Sequence, residues 1–302
     1  MDMVVPVGRF PKPGETVIGS GYNMLPGGKG ANQALAAARM GPKVALVGCV
    51  GDDGMGMRML TGLRRDGVIT SGVGQSELPT GMAVIITNEA GENEIVVASG
   101  ANAHAKADQI PDEILKSSHL LLLQGETPPK ENWTLLERAK QRGVTTILNL
   151  APVVDIPREA LAHIDYLVVN KIEAEQIAHA LKIDLHEDAA LLARALAHQA
   201  KLTCIITLGA HGSTAVTPDG GPGIHVPALG LSHVVDTTGA GDAYCGTLAA
   251  ALYSRKNLAD AMKLASIAGS LACAKRGAQD SFPYLGEIEE NLERLGPVTH
   301  VS

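Results

Sequence analysis

Apolar residues in this chain fall into short β-branched runs separated by longer segments with helical spacing. The runs VALVGCV (44–50), LLLLQG (120–125), TTILNL (145–150), YLVVN (166–170) and CIITLG (204–209) predict strands. The segments GMRMLTGLRR, ENWTLLERAKQ, EAEQIAHAL and EDAALLARALAHQA predict the helices between them, and LADAMKLASIAGSLACAKRG and LGEIEENLERL two more near the C-terminus. Almost continuously hydrophobic strands interleaved with helices imply an α/β fold, a doubly wound and mostly parallel sheet covered on both faces. Ligands in such folds bind outside the carboxyl ends of the strands. Gly125, Glu126, Asn149, Asn170 and Gly209 therefore fall on the functional edge.

A different texture appears in TGMAVIITNEAGENEIVVASGAN (80–102), where apolar and polar positions alternate on two arms around a turn near Glu89–Glu92. This reads as a hairpin. With the proline-bounded start it predicts a small antiparallel β lid built from about 3–22 and 80–102; two further edge strands of the main sheet are the alternative. No linker or internal repeat interrupts the chain, so residues 1–302 read as one domain carrying that lid.

Composition narrows the function classes. A net charge of −7 without a Lys/Arg run disfavours nucleic acid or an anionic membrane as partner. Aromatic content of 3% argues against base-stacking platforms. With no apolar stretch long enough to span a bilayer and no signal peptide, a cytoplasmic protein is expected. Cys49, Cys204, Cys245 and Cys273 lie far apart in apolar segments and read as buried free thiols.

Two glycine clusters carry the candidate chemistry. PGGKGANQALAAARMG (26–41) is no Walker A loop, because Asn23 and Gly30 stand where that motif needs Gly and Ser/Thr. Its backbone amides, the Lys29 ammonium and the Asn32 amide suit sugar hydroxyls, unless it is merely a tight turn into a helix. In DTTGAGDAYCG (236–246) the small residues Gly239, Ala240 and Gly241 precede Asp242 at a helix start. An Asp there is often a cap. Capping does not need three small residues, whereas three amides at a helix start make an anion hole for a transferring phosphoryl group. Asp242 would then accept the proton of the attacking hydroxyl.

Asn170 and Glu173 in NKIEAE sit at a strand end and a first helical turn, as a Mg²⁺-water shell beside phosphates or as a plain capped helix. ITLGAHGSTAV (206–216) predicts strand, glycine turn, strand, a nucleotide cradle with His211 as lining. Ser213 has no GxSxG context, and a dinucleotide fingerprint is lacking, which disfavours a serine hydrolase and a dehydrogenase.

GGKGANQA, NxxE, TLGxxG, DTTGAGD and KRGAQ stand here in the order seen in the ribokinase-like carbohydrate kinases of the phosphofructokinase-B type, and PKPGET (11–16), NLAP (149–152) and KRGAQDS (275–281) also resemble that family. The resemblance covers almost the whole chain. It implies ATP and Mg²⁺-dependent phosphorylation of a sugar hydroxyl, most simply the 5-hydroxyl of D-ribose; deoxyribose, a keto-sugar acid or a nucleoside are alternatives, as is a non-catalytic sugar binder. It implies Asp242 as base, Gly239 to Gly241 as anion hole, and Gly28, Lys29, Gly30, Ala31, Asn32 and Glu126 as the sugar grip. Asn170, Thr207, Leu208, Gly209, Ala210, His211, Gly212, Gly241 and Ser266 would meet the nucleotide. Glu173 would organise Mg²⁺ through water, and K⁺ would sit among Asp236, Thr238, Ala272, Lys275, Gly277 and Ser281. The lid often clasps that of a second subunit, giving a homodimer.

Two departures stand out. Family members usually open with a hydrophobic strand ending Gly-Ser-x-Asn-x-Asp, whose last polar residues bind sugar; this chain opens MDMVVPV, so Asp2 matches the final Asp while the strand and the Asn have no counterpart. Either translation begins upstream of Met1 or the fold dispenses with a central strand, which would expose strand edges and leave Asp2 on a fraying terminus. Gly239 also stands where the nearest members often carry Ala, which widens the substrate candidates.

Overall fold

The computed structural model describes residues 1–90 and 92–301; Gly91, in the expected hairpin turn, lies outside them. The first elements are β1 (Asp2–Pro6), β2 (Asn23–Leu25), α1 (Lys29–Arg39), β3 (Ala45–Gly51), α2 (Gly54–Arg65), β4 (Ile69–Ser76), β5 (Met82–Thr87) and β6 (Asn93–Ala98). Then follow β7 (Leu120–Gln124), α3 (Pro129–Gln141), β8 (Thr145–Asn149), α4 (Arg158–Leu161), β9 (Tyr166–Asn170), α5 (Lys171–Leu181), α6 (Ala189–Ala200) and β10 (Thr203–Thr207). The chain closes with β11 (Ser213–Val216), β12 (Gly223–Val226), α7 (Ala240–Tyr253), α8 (Leu258–Ala272), α9 (Leu285–Glu289) and β13 (Thr299–Val301).

The main sheet runs β13-β12-β11-β10-β9-β8-β7, parallel from β7 to β10 and antiparallel beyond, so it is mixed. Strand alternation sends successive side chains to opposite faces. Ile147, Val168 and Ile205 meet α7 and α8 on one face, at Leu248 and Ala265. Leu148, Leu167, Val169 and Ile206 meet α5 and α6 on the other, at Ile177, Leu192 and Leu196. The sheet is thus buried between two helical layers, and its parallel strands end together: Gln124 is level with Asn149, and Asn170 with Thr207.

The predicted hairpin forms, β5 antiparallel to β6, in a separate four-stranded sheet ordered β2-β1-β5-β6. It differs from a purely antiparallel lid, because β1 pairs with β5 in parallel and with β2 antiparallel. From Val7 to Tyr22 no strand forms; the run PKPGETVIGSG supplies prolines and glycines in place of a ladder. α9 is also shorter than LGEIEENLERL predicts. The Asn291 amide donates to the Glu287 carbonyl at 2.8 Å, taking an acceptor at the point where the helix stops.

β3 and β4 form a two-stranded parallel sheet of their own. Among the described residues, β3 pairs only with β4, and β7 only with β8. The free edges of β3 and β7 both line a cavity of about 650 Å³ with walls that include Leu46, Val50, Leu121, Leu123 and Leu135. One edge of β3 and one of β7 are therefore left unpaired among the described residues. Asp2, however, does not fray. It lies level with Leu25 and Ala83, and the Met1 ammonium, largely buried, donates to the Gly81 carbonyl at 3.0 Å.

The cysteines are free thiols, with Cys273 the only one of them not fully buried; burial pushes the Cys204 thiol up to about 12. No described helix is long and apolar enough to cross a membrane.

Candidate active site

Asp242 lies in the first turn of α7 and is buried. α7 is a helix of small residues laid against α1, and Gly246 makes the approach possible. A Cβ there would run into the Gln33 carbonyl and stand 2.7 Å from the Ala36 Cβ. The close packing brings two amides of α1 onto the carboxylate. Asn32 Nδ2 donates to Asp242 Oδ2 and Gln33 Nε2 to Oδ1, both at 2.9 Å. Burial raises the proton affinity of Asp242, and Lys29, Asn32 and Gln33 oppose it; the balance stays raised.

The turn before α7 is set by Gly239, whose φ of +78° favours glycine. Of the three small residues expected to form an anion hole, Ala240 is turned away: its N–H donates to the Thr237 carbonyl at 3.2 Å. The Ala243 N–H is taken by the Gly239 carbonyl at 2.8 Å. Among the described residues the N–H groups of Gly239, Gly241 and Asp242 have no partner, so two of the three expected amides stay open and Asp242 adds a third.

The first glycine cluster is a tight turn into a helix start. Gly28, at φ +89°, precedes α1, and the Lys29 N–H donates to Glu126 Oε2 at 3.1 Å across the cleft. Gly30 and Ala31 continue this first turn. Asp2 enters the same place from β1, its carboxylate packed so closely on Gly27 that no Cβ fits between them. Burial tends to lower the Lys29 ammonium, but Asp242, Glu126 and Glu173 around it win, and it is held above its usual value. The same burial raises Glu126, Asp2 and Glu173 above the usual carboxylate range.

Asn170 and Glu173 form a reciprocal capping box: Glu173 N–H to Asn170 Oδ1 and Asn170 N–H to Glu173 Oε2, each 2.8 Å. This is the capped-helix reading, and it leaves the other Glu173 oxygen uncommitted. At the neighbouring strand end, Thr207 leads through Leu208 into a tight turn of Gly209, Ala210 and His211. Gly212 closes it, at φ +89°, with its carbonyl accepting from the Leu208 N–H at 2.7 Å. Strand, glycine turn and strand are thus present at the sheet edge. Ser266 is buried, and its hydroxyl donates to the Pro227 carbonyl at 2.6 Å.

Asp236 ties two loops together, accepting from the Thr238 N–H and the Gly277 N–H at 2.9 Å each. Burial works to raise it, yet these bonds and Arg276 hold it below the usual carboxylate range. The Val235 N–H donates to the Cys273 carbonyl at 2.8 Å, so the segment after Ala272, with Lys275 and Gly277, lies beside Asp236 and Thr238. Ser281 directs its hydroxyl to the Ala278 carbonyl at 2.7 Å.

Gln33, Gln124 and Gln279, not singled out one by one from the sequence, complete the centre together with Asn149 of the expected functional edge. Gln33 also donates to Asn149 Oδ1 at 2.9 Å, Gln124 donates to Gln33 Oε1 at 2.7 Å, and Gln279 donates to Asn32 Oδ1 at 3.0 Å. Their signal was a place inside GGKGANQA, at a strand end and in KRGAQ.

Residues 1–285 match the pfkB family carbohydrate kinase domain. A ribokinase of Haemophilus influenzae is 36% identical over 304 residues, covering 97% of this chain and 95% of the relative. Among solved structures, a ribokinase from Thermotoga maritima superposes with a TM-score of 0.88 at 32% identity, covering 97% of this chain and 96% of the other. An Arabidopsis thaliana ribokinase complexed with ribose and ATP superposes with a TM-score of 0.87 at 31% identity, covering 97% and 95%. Likeness of this extent in both sequence and fold establishes that the chain belongs to the pfkB family of carbohydrate kinases.

Proposed function

We propose that the protein transfers the γ-phosphoryl group of ATP to the 5-hydroxyl of D-ribose, with Asp242 as general base. The observation that carries this reading is the Asp242 carboxylate itself: buried at a helix start, held at both oxygens by amides, and adjacent to the free backbone N–H groups of Gly239, Gly241 and Asp242. The ribokinase names of its relatives and the ribose and ATP held by the Arabidopsis protein support the choice of sugar and donor.

In this reading Asp242 takes the hydroxyl proton as the sugar oxygen bonds to the γ-phosphorus. The bond from that phosphorus to the bridging oxygen breaks, and ADP leaves with the electron pair. The Gly241 and Asp242 N–H groups face the charge that develops on the transferring group. Gly28 to Asn32, Glu126 and Asp2 hold the sugar; Asn170 and Thr207 to Gly212 hold the nucleotide. A carboxylate on the phosphate side with one uncommitted oxygen fits Mg²⁺, which keeps several waters and usually takes only one or two protein carboxylates. Glu173 would hold it through water, and the ion would neutralise phosphate charge. The all-oxygen set of Asp236, Thr238, Ala272, Lys275, Gly277 and Ser281 fits K⁺, which would brace the loop that orients α7.

The separate sheet supports a homodimer. Every residue of β6 is exposed, with Ile95, Val96 and Val97 more than half so, and β6 is an edge strand. A second copy of the same lid is its proposed cover.

The test is ADP release from Mg-ATP with pentoses, hexoses and nucleosides, with and without K⁺, for the wild type and Asp242→Asn. Ribose-dependent turnover stimulated by K⁺ is expected, falling by about 10²–10⁴ in the variant. A better substrate among the others overturns the sugar; an active Asp242→Asn overturns the base.

A further inference from the structure

We infer that Gln33 is a positioning residue for phosphoryl transfer: its locked carboxamide donates to Asp242 Oδ1 and leaves an outward lone pair for the acceptor hydroxyl. This deepens the reading of Asp242 as base and rests on it.

Gln33 has no exposure to solvent, in a helix whose neighbouring positions are Ala34 and Leu35. A buried amide is costly unless all its polar atoms are satisfied. Here they are. One N–H of Nε2 goes to Asp242 Oδ1, the other to Asn149 Oδ1, and Oε1 accepts from Gln124.

The direction of this chain is fixed by a backbone group. Asn149 Nδ2 donates to the Val168 carbonyl at 2.9 Å, and a carbonyl can only accept. Asn149 must therefore present its oxygen to Gln33, so Gln33 must present nitrogen there and oxygen to Gln124. The N–H left over on Gln33 points at Asp242. A second relay, from Gln279 through Asn32, delivers an N–H to the other carboxylate oxygen. Each oxygen thus meets one inward donor, and the proton from the substrate is received on the side the amides do not occupy. Bonds of this kind, to an ionised acceptor, are about twice as strong as neutral ones.

The titratable groups around Asp242 are Lys29 on α1, Asp2 on β1, Glu126 after β7 and Cys245 on α7 itself. None of them replaces the Gln33 donor. Without it the carboxylate binds its proton more tightly, so the base is lost at a higher pH as the solution is acidified.

The experiment is the pH profile of kcat/KM for wild type, Gln33→Met and Gln124→Met, with Asp242→Asn as control. Methionine keeps the length of glutamine and removes the donor. Gln33→Met should move the acidic limb up by about one pH unit, a tenfold change in proton affinity (about 1.4 kcal/mol). Gln124→Met, which only unlocks Gln33, should move it the same way by less, and it carries the test if Gln33→Met does not fold. A uniform loss of kcat with an unmoved acidic limb in the folded variants, while Asp242→Asn is dead, overturns this inference alone. An active Asp242→Asn overturns the base reading and this inference with it.

Discussion

At Gly239 the backbone conformation and the surrounding space make the same demand. A Cβ would stand 2.8 Å from the Ala278 Cβ and 2.9 Å from the Phe282 ring, on a residue at φ +78°. Gly239→Val, bulkier than the Ala that family members often carry here, should cost roughly 1–3 kcal/mol from backbone strain and lose turnover, because the same turn aims the open N–H groups. An unchanged denaturation midpoint would refute this. Glu126 makes a pH-dependent prediction. Burial raises its folded value above the ordinary one of about 4.3. A carboxylate that binds its proton more tightly when folded stabilises fully below that value, and the contribution is lost as pH rises through the folded value. Glu126→Gln, which can still accept from the Lys29 N–H, should therefore gain melting temperature relative to wild type as pH climbs from about 4 towards neutrality. A shift of about 2 °C is expected, and a difference independent of pH would exclude the mechanism. Asp242 was legible in the sequence because three small residues before an acid at a helix start have few other uses. The Gln33 clamp was not, since its members lie 91, 116 and 209 residues from Gln33 and nothing local in ANQALAAAR separates it from a solvent-facing glutamine.

Among the elements, the parallel strands β3 and β7 to β10 were readable to within two residues of either end, because runs such as YLVVN and TTILN are apolar on both faces and stop at a polar residue. By contrast β4, with Gly72 and Gly74 inside it, was not. Partnership was not readable. The parallel pairing of β1 with β5 joins segments about 80 residues apart, and no periodicity encodes such a register. The split between β3 and β7 is likewise invisible locally, since either run alone looks like an interior strand. Two consequences follow. Gly246→Val should push α7 off α1 and separate Asp242 from Asn32 and Gln33, lowering kcat by at least tenfold; full activity in a folded variant would show that the close approach is dispensable. A seven-residue apolar strand fused ahead of Met1 should enter the slot between β3 and β7, protecting their edge amides from hydrogen exchange. A Gly/Ser extension of the same length should not. Equal exchange in both would mean that the slot does not accept a strand.

For the whole molecule, assembly is the prediction. If the exposed face of β6 is covered by a second copy, Val96→Glu should convert a dimer to a monomer in sedimentation equilibrium while leaving the centre around Asp242 folded; a dimer that persists locates the interface elsewhere. The cavity beside the central sheet has a different consequence, mechanical in kind. About 650 Å³ of partly open space with mainly apolar walls persists only while the chain is folded, and unfolding disperses it. The volume change on unfolding is then more negative than for a filled sheet, and hydrostatic pressure favours the smaller state. Trp133, the single tryptophan, packs against the core from α3, the same helix whose Leu135 lines the void. Its fluorescence under pressure should report unfolding at lower pressures than in the same chain with the slot filled.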